Sequence, residues 1–493
     1  MQHTYHEGRI VIVGAGIGGL SAGALLAQKG LDITVLESHS LPGGCASTFS
    51  RSGFRFDAGA TVGCGFHRHG PLDRLGRELG ITWPTMPSPV AWEYQCGELS
   101  LQLDHMREDI LARFPGSAPF WDEQEEAAAI LWALAKKGLA WPPATAGDIG
   151  KLLGMMPKKV STLTLLGKLA GNTVRQWLGR HDLDTDSEFV RFIDAQLLIS
   201  LQTTSSAANA LFGAIALDLP VRGTHRITGG IGTVAKELAG SIEKNGGQVL
   251  YGKEVVTIET HKGKARAVTT ADGERFEADA FICNLTPASL AAICPEATSG
   301  GKSNKSGWSA FMLYLGLEER VCEKSGCHLQ LVRPAGTLGE CSSIFASISP
   351  SDDSLRAPEG KRAMTVSTHT RPGHWWQAMK QGRDAYDALR KGYREDILSL
   401  LEHAIPGIGN HIVAEHDATP VSWERWTGRK EGFVGGTPQT GLWGARGPRT
   451  KLANLFLSGD SVFPGQSLPG VTTGSRRTAD MVELYLHRLQ GKQ

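Results

Sequence analysis

Apolar residues run together rather than alternate near the start of the chain. Arg9-Ile10-Val11-Ile12-Val13 is short and Ile/Val-rich, which predicts a strand covered on both faces. A glycine-rich turn, Gly14-Ala15-Gly16-Ile17-Gly18-Gly19, follows at once, then a helical stretch from Leu20 to Lys29, and then a second apolar run, Leu31 to Leu36, which Glu37 ends. The order strand, turn, helix, strand predicts the opening of a doubly wound nucleotide-binding sheet. Comparable pieces recur far downstream. Arg226 to Gly232 leads into an amphipathic helix, Thr233 to Lys244, a turn at Asn245-Gly246-Gly247, and strands at Gln248–Leu250 and Lys253–Thr260. Near the other end Leu455-Phe456-Leu457 runs directly into Ser458-Gly459-Asp460, and a Gly/Pro-rich stretch precedes a helix over Thr472 to Leu489. Between these pieces Phe311–Leu317, Ala363–Thr368 and Ile412-Val413 are strand-like and predict a second sheet.

The glycines have separate tasks. Gly14 permits the tight turn, Gly16 lets backbone approach a pyrophosphate, Gly18 belongs to the same turn, and Gly19 lets helix and strand pack closely. Negative phosphate then meets the N-terminus of the helix, where free N–H groups and the dipole favour an anion. Glu37 lies roughly 20 residues beyond the turn, where an acidic side chain accepts hydrogen bonds from ribose hydroxyls. This fingerprint does not by itself separate NAD from FAD.

The next segment does so by resemblance. Pro42-Gly43-Gly44-Cys45-Ala46-Ser47-Thr48-Phe49 and Gly53-Phe54-Arg55-Phe56-Asp57-Ala58-Gly59-Ala60-Thr61 resemble stretches of the flavin amine oxidase superfamily. The likeness is greatest to the carotenoid desaturases and isomerases of the phytoene desaturase family, and it extends through Phe463-Pro464-Gly465-Gln466-Ser467-Leu468-Pro469-Gly470-Val471. It implies an α/β fold with FAD as cofactor: a discontinuous Rossmann-type FAD-binding domain over residues 1–91, 222–300 and 440–493, and an inserted α+β substrate domain over 92–221 and 301–439. It also implies a cofactor site formed by Gly14, Ala15, Gly16, Gly18, Gly19, Glu37, Gly43, Gly44, Cys45, Ala60 and Thr61. To these it adds Val255 near the adenine, Gly459 with Asp460 at the ribitol, and Gly470 with Val471 at the flavin ring. Cys45 stands where many members of the family carry Arg.

The activity implied is oxidation or cis–trans isomerisation of a long apolar polyene such as a carotenoid, with no catalytic side chain and no metal assigned. Two alternatives share the fold: an amine oxidase acting on a small amine, and a lipid carrier without catalysis. The carrier reading is the weaker, because Gly14, Gly16, Gly19, Glu37, Gly459 and Asp460 are all present.

Composition narrows the partners. With 51 basic and 50 acidic residues the formal net charge is +1, so no global field draws nucleic acid. The eight cysteines include no C-x-x-C pair, which excludes common zinc spacings and suits reduced, cytosolic thiols. Met1 to Arg9 lacks the basic-then-apolar order of a secretory signal. Ala195 to Leu217 is uncharged but too polar in its middle to span a bilayer, and it predicts internal helix. From Lys151 to Arg180 there are six basic residues and no acidic one. Val160, Leu163, Leu166, Ala170, Val174 and Trp177 there predict one apolar helix face lying on a membrane surface. The expectation is a cytoplasmic protein peripheral to a membrane, with no oligomeric state specified. Trp423 and Trp426 are candidates to line the polyene path, Arg476 and Arg477 face solvent or a phosphate, and His67 with His69 reads as structural rather than metal-binding.

Overall fold

The computed structural model describes residues 8–298, 307–323 and 325–491. The expectation about a secretory signal concerns residues that lie largely outside this range, and the boundary at 300/301 falls outside it as well.

The five-stranded sheet has the order Gln248–Tyr251, Asp32–Glu37, Arg9–Val13, Ala280–Cys283, Leu455–Leu457, with every neighbouring pair parallel. Continuous apolar runs are what such a sheet requires. Ile10 and Ile12 face a layer of helices, Ile17–Ala27, Gly232–Lys244 and Leu468–Gln490, while Val11 and Val13 face a layer containing Val255, Ile258 and Val268. Alternate side chains are therefore buried on opposite faces, and no polar position is left in the run. The first helix starts at Ile17, earlier than the sequence suggests, because the turn tightens into the helix at Gly16. A Cβ on Gly19 would strike the carbonyl of Gly14, so this glycine sets the close helix–strand approach.

A second sheet has seven strands in the order Ile412–Ala418, Ser309–Glu318, Lys361–Thr370, Ser343–Ile348, His328–Val332, Trp92–Cys96, Leu99–Leu103. It joins strands from two distant stretches: Trp92–Cys96 pairs in parallel with His328–Val332, with Leu329 opposite Glu93. Helices Pro372–Gln381 and Arg383–Ala404 pack on one side of it through Trp375, Tyr393 and Ile397. On another side lies a helical layer that includes Ala118–Lys136, Ser187–Leu201 and Ala210–Asp218.

Two helical expectations need correction. Ala195–Leu217 is not one helix: Ser187–Leu201 ends at Gln202, whose φ is 59°, and Ala210–Asp218 begins after Asn209, whose side chain accepts from the Leu211 N–H. No helix among the described residues is long and apolar enough to cross a membrane. The apolar face from Val160 to Trp177 is also broken, into Val160–Ala170 and Val174–Gly179. Thr173 caps the second helix and exchanges hydrogen bonds with Gln176, a capping box that starts a new helix at Val174. Val174 and Trp177 are then fully buried against the helical core, while Val160 is 76% exposed.

Candidate functional site

The carboxyl ends of the parallel strands meet at a cavity of ≈ 400 Å³, in the size range of small-molecule sites. Strand Arg9–Val13 ends at Gly14, which has φ +95° and donates its N–H to the Leu36 carbonyl at 2.8 Å. On the next strand the Glu37 carboxylate accepts from the backbone N–H of Ala15 at 2.7 Å and of His39 at 2.9 Å. It is thereby fixed on the cavity wall. A carboxylate has about four acceptor positions, so two backbone donors leave capacity for hydroxyl groups of a ligand.

Three strand ends converge on a floor almost free of side chains. A Cβ on Gly18 would lie 2.7 Å from both Cα and N of Gly459 and 2.6 Å from Asn284 Oδ1, and one on Gly459 would lie 2.5 Å from the same oxygen. Gly43 and Gly44 enter the floor with φ +114° and +58°, and the Gly43 N–H is held by the Ala15 carbonyl at 2.8 Å. Only glycine fits such an arrangement. The floor and the fixed carboxylate suit the phosphates and ribose of a dinucleotide.

Of the residues singled out from the sequence, Gly14, Gly16, Gly18, Glu37, Gly43, Gly44, Cys45, Ala60, Thr61, Gly459, Asp460 and Val471 line this one cavity. Ala15 does not, but its N–H orients Glu37. Gly19 serves packing, and Val255 sits in the core beneath the sheet with Val11 and Leu36 rather than at the cavity. Gly470 also stands off the cavity. The last helix starts at Leu468, four residues before the expected start, with Ser467 capping it and Pro469 in its first turn. The direction of a Gly470 side chain would be toward the Gly465 carbonyl, 2.7 Å away, so a bulky residue there would disturb the helix start instead of blocking the cavity. Ser467, Leu468 and Val471 present that helix N-terminus to the cavity, where its dipole favours negative charge.

Away from this floor the cavity is lined by apolar and neutral polar side chains, the latter including Gln330, Ser343 and Thr368. Trp92, Ala195, Leu198, Met312, Ile344 and Phe345 line a chamber between the second sheet and the helical layer. Among the described lining residues the only Asp, Glu, Lys or Arg side chains are Glu37, Asp460 and Arg429, and the last two form an ion pair at 2.8 Å. His369 also lines the cavity; burial pushes it down to about 4, so it is neutral at pH 7. Burial pushes the Cys45 thiol up, against the opposing pull of Arg429, and it stays protonated.

Sequence reasoning missed Asn284, Arg429 and His369. Asn284 had a usable signal, since it ends the buried run Ala280–Cys283 just as Glu37 ends its own strand. Trp423 and Trp426 both line the cavity at its charged end: Trp423 lies over Gly59, and Trp426 meets His39 edge-on at 5.0 Å. Arg476 pairs with Glu78, and Arg477 binds the carbonyls of Trp141 and Pro142, so neither faces this site. His67 meets Trp132 edge-on, and His69 Nδ1 lies 3.4 Å from Arg77.

A doubly wound sheet with a glycine floor at its switch point, joined to a second sheet over an apolar chamber, defines an FAD-type oxidoreductase architecture. The chain belongs to the flavin containing amine oxidoreductase family, whose model matches residues 17–482. It is therefore a flavin-dependent enzyme, with FAD as the cofactor. Among curated relatives it is 29% identical to the chloroplastic prolycopene isomerase of Daucus carota, over 96% of this chain and 80% of that protein. It is 25% identical to the 4,4'-diapophytoene desaturase (4,4'-diapolycopene-forming) of Methylomonas sp, over 100% and 98% of the two chains. Among solved structures, an oxidoreductase from Methanosarcina mazei shares the fold with a TM-score of 0.65 at 18% identity, covering 96% and 100% of the two chains.

Proposed function

We propose that this enzyme desaturates or isomerises a long apolar polyene of the carotenoid class. The observation that carries the reading is the uncharged chamber: beyond the Glu37 and Arg429–Asp460 end, no charged side chain lines the cavity among the described residues. An ammonium substrate would enter with no carboxylate to meet it, and desolvating an unpaired charge is costly. A hydrocarbon gains from the same lining. The relatives named above act on prolycopene and diapophytoene, which supports a polyene over an amine.

Glu37 is assigned to the ribose, the glycines at 14, 16, 18, 43, 44 and 459 to close approach of the phosphates, and Asp460 to the ribitol hydroxyls. Bound FAD would supply either hydride acceptance for desaturation or, in reduced form, assistance to double-bond rotation without net oxidation. The protein's own part is to hold the chain of the substrate, exclude water through Trp92, Leu198, Met312 and Phe345, and favour negative charge at the helix N-terminus near Val471. Expression in a bacterial host that accumulates poly-cis and partly saturated carotenoids tests the reading. A changed isomer or desaturation profile in extracted pigment is expected, and an unchanged profile with soluble, FAD-loaded enzyme would count against it.

Such a substrate partitions into bilayers, because each buried CH₂ is worth about 0.8 kcal/mol. Membrane association is part of the same proposal. Its supporting surface is Ala146–Met155 and the start of the next helix: Ile149, Leu153, Met156 and Val160 are 52%, 70%, 54% and 76% exposed, beside Lys151, Lys158 and Lys159. Apolar side chains among lysines suit an anionic lipid surface. At about 1 kcal/mol per lysine, reversing all three charges should weaken co-sedimentation with phosphatidylserine-containing vesicles by at least about 10-fold. Unchanged binding in that variant would remove this surface from the account.

A further inference from the structure

Arg429 is the one Lys or Arg among the described residues that line the cavity, and nothing in the glycine fingerprint accounts for it. Its position is set by a helix end. Helix Pro420–Thr427 terminates at Gly428, whose φ of 62° turns the chain, and Arg429 enters the cavity immediately afterwards. Its guanidinium donates to Asp460 Oδ2 at 2.8 Å and lies against the Cys45 thiol. Those two residues directly follow Gly44 and Gly459, so Arg429 bridges the two glycine turns that make up the floor. Trp426, on the same segment, meets His39, whose N–H is bound by Glu37. The segment thus crosses the dinucleotide end of the cavity from the Glu37 side to the Gly44/Gly459 side.

Charge balance gives this placement a purpose. Glu37 and Asp460 are both acidic, and a pyrophosphate would bring two more negative charges onto backbone that offers only partial positive charge. A planar guanidinium has five donors, and Asp460 and the Cys45 thiol use only part of that fork. We propose that Arg429 is the cation that binds the FAD pyrophosphate, delivered from a segment remote from the nucleotide fingerprint. The inference rests on the assignment of FAD to this floor under the proposed function.

Riboflavin, which has no phosphate, separates this role from a structural one. Apoprotein carrying Arg429→Gln should bind FAD on the order of 10- to 100-fold more weakly than wild type in a fluorescence titration, with riboflavin affinity unchanged. Arg429→Lys keeps the charge but not the fork, so its FAD affinity should fall between the two. Equal FAD affinity in wild type and the glutamine variant would overturn the proposal, as would an equal loss toward FAD and riboflavin. If the glutamine variant does not fold, the lysine variant decides: weaker FAD binding with unchanged riboflavin binding supports the role, and unchanged FAD binding overturns it. Failure of wild-type protein to take up FAD would instead strike the assignment of the floor itself.

Discussion

Gly18→Val should yield a protein that no longer takes up FAD, seen as loss of the flavin absorbance from purified material. The added side chain would begin 2.7 Å from the Cα and N of Gly459 and 2.6 Å from Asn284 Oδ1. Gly459 cannot withdraw, because it directly follows the buried strand Leu455–Leu457 and Ser458, whose hydroxyl donates to the Gly18 carbonyl at 2.9 Å. The clash therefore pushes the strand ends apart at the place where phosphates would approach backbone. Overpacking of this kind also costs about 1–3 kcal/mol of stability, so a lower melting temperature is expected alongside. Gly240→Val is the matched control: it sits on an exposed helix position with nothing within 4 Å of its Cβ, and its flavin content should equal that of wild type. A flavin-replete Gly18→Val protein would contradict the role given to the floor.

Ala195→Phe should have the opposite profile, with flavin retained and polyene turnover reduced by at least about 100-fold in kcat/KM, equivalent to about 2.7 kcal/mol. Ala195 is 2% exposed and lines the apolar chamber on helix Ser187–Leu201. A phenyl group there enters space meant for the substrate, so it displaces ligand rather than distorting the fold. FAD affinity should not change, because the glycine floor is formed by other segments. Wild-type turnover of a long polyene by this variant would show that the substrate does not occupy the chamber.

How much of this was legible beforehand depended on the range of the interactions. Arg9–Val13 and Leu455–Leu457 could be read residue by residue because a strand covered on both faces needs an unbroken apolar run, which is a local signal. Glu37 was legible from spacing alone. The last helix starts at Leu468, ahead of the Thr472 that the sequence suggests, because Ser467 and Pro469 form a cap and first turn inside a stretch that reads as loop. The break at Thr173 was written in the sequence as Thr-x-x-Gln, but the apolar periodicity across it was the louder pattern. Asn284 lies outside any local motif, and Arg429, although it ends the stretch Ala418–Arg429 that resembles the family, is marked there by no spacing of its own. Asn284 arrives because Ala280–Cys283 pairs with Arg9–Val13 across some 270 residues, and Arg429 arrives by a turn after a short helix. No pattern within one segment encodes either meeting.

A flavin that opens onto this uncharged chamber should act on a hydrocarbon and not on an amine. Anaerobic incubation of purified, FAD-loaded enzyme with a poly-cis carotenoid, a partly saturated carotenoid, or putrescine, following flavin absorbance and product identity together, decides between them. A new double bond or an altered cis–trans composition is expected in at least one carotenoid, with no oxidation of the amine. Rapid flavin reduction by putrescine, with both carotenoids recovered unchanged, would contradict that expectation.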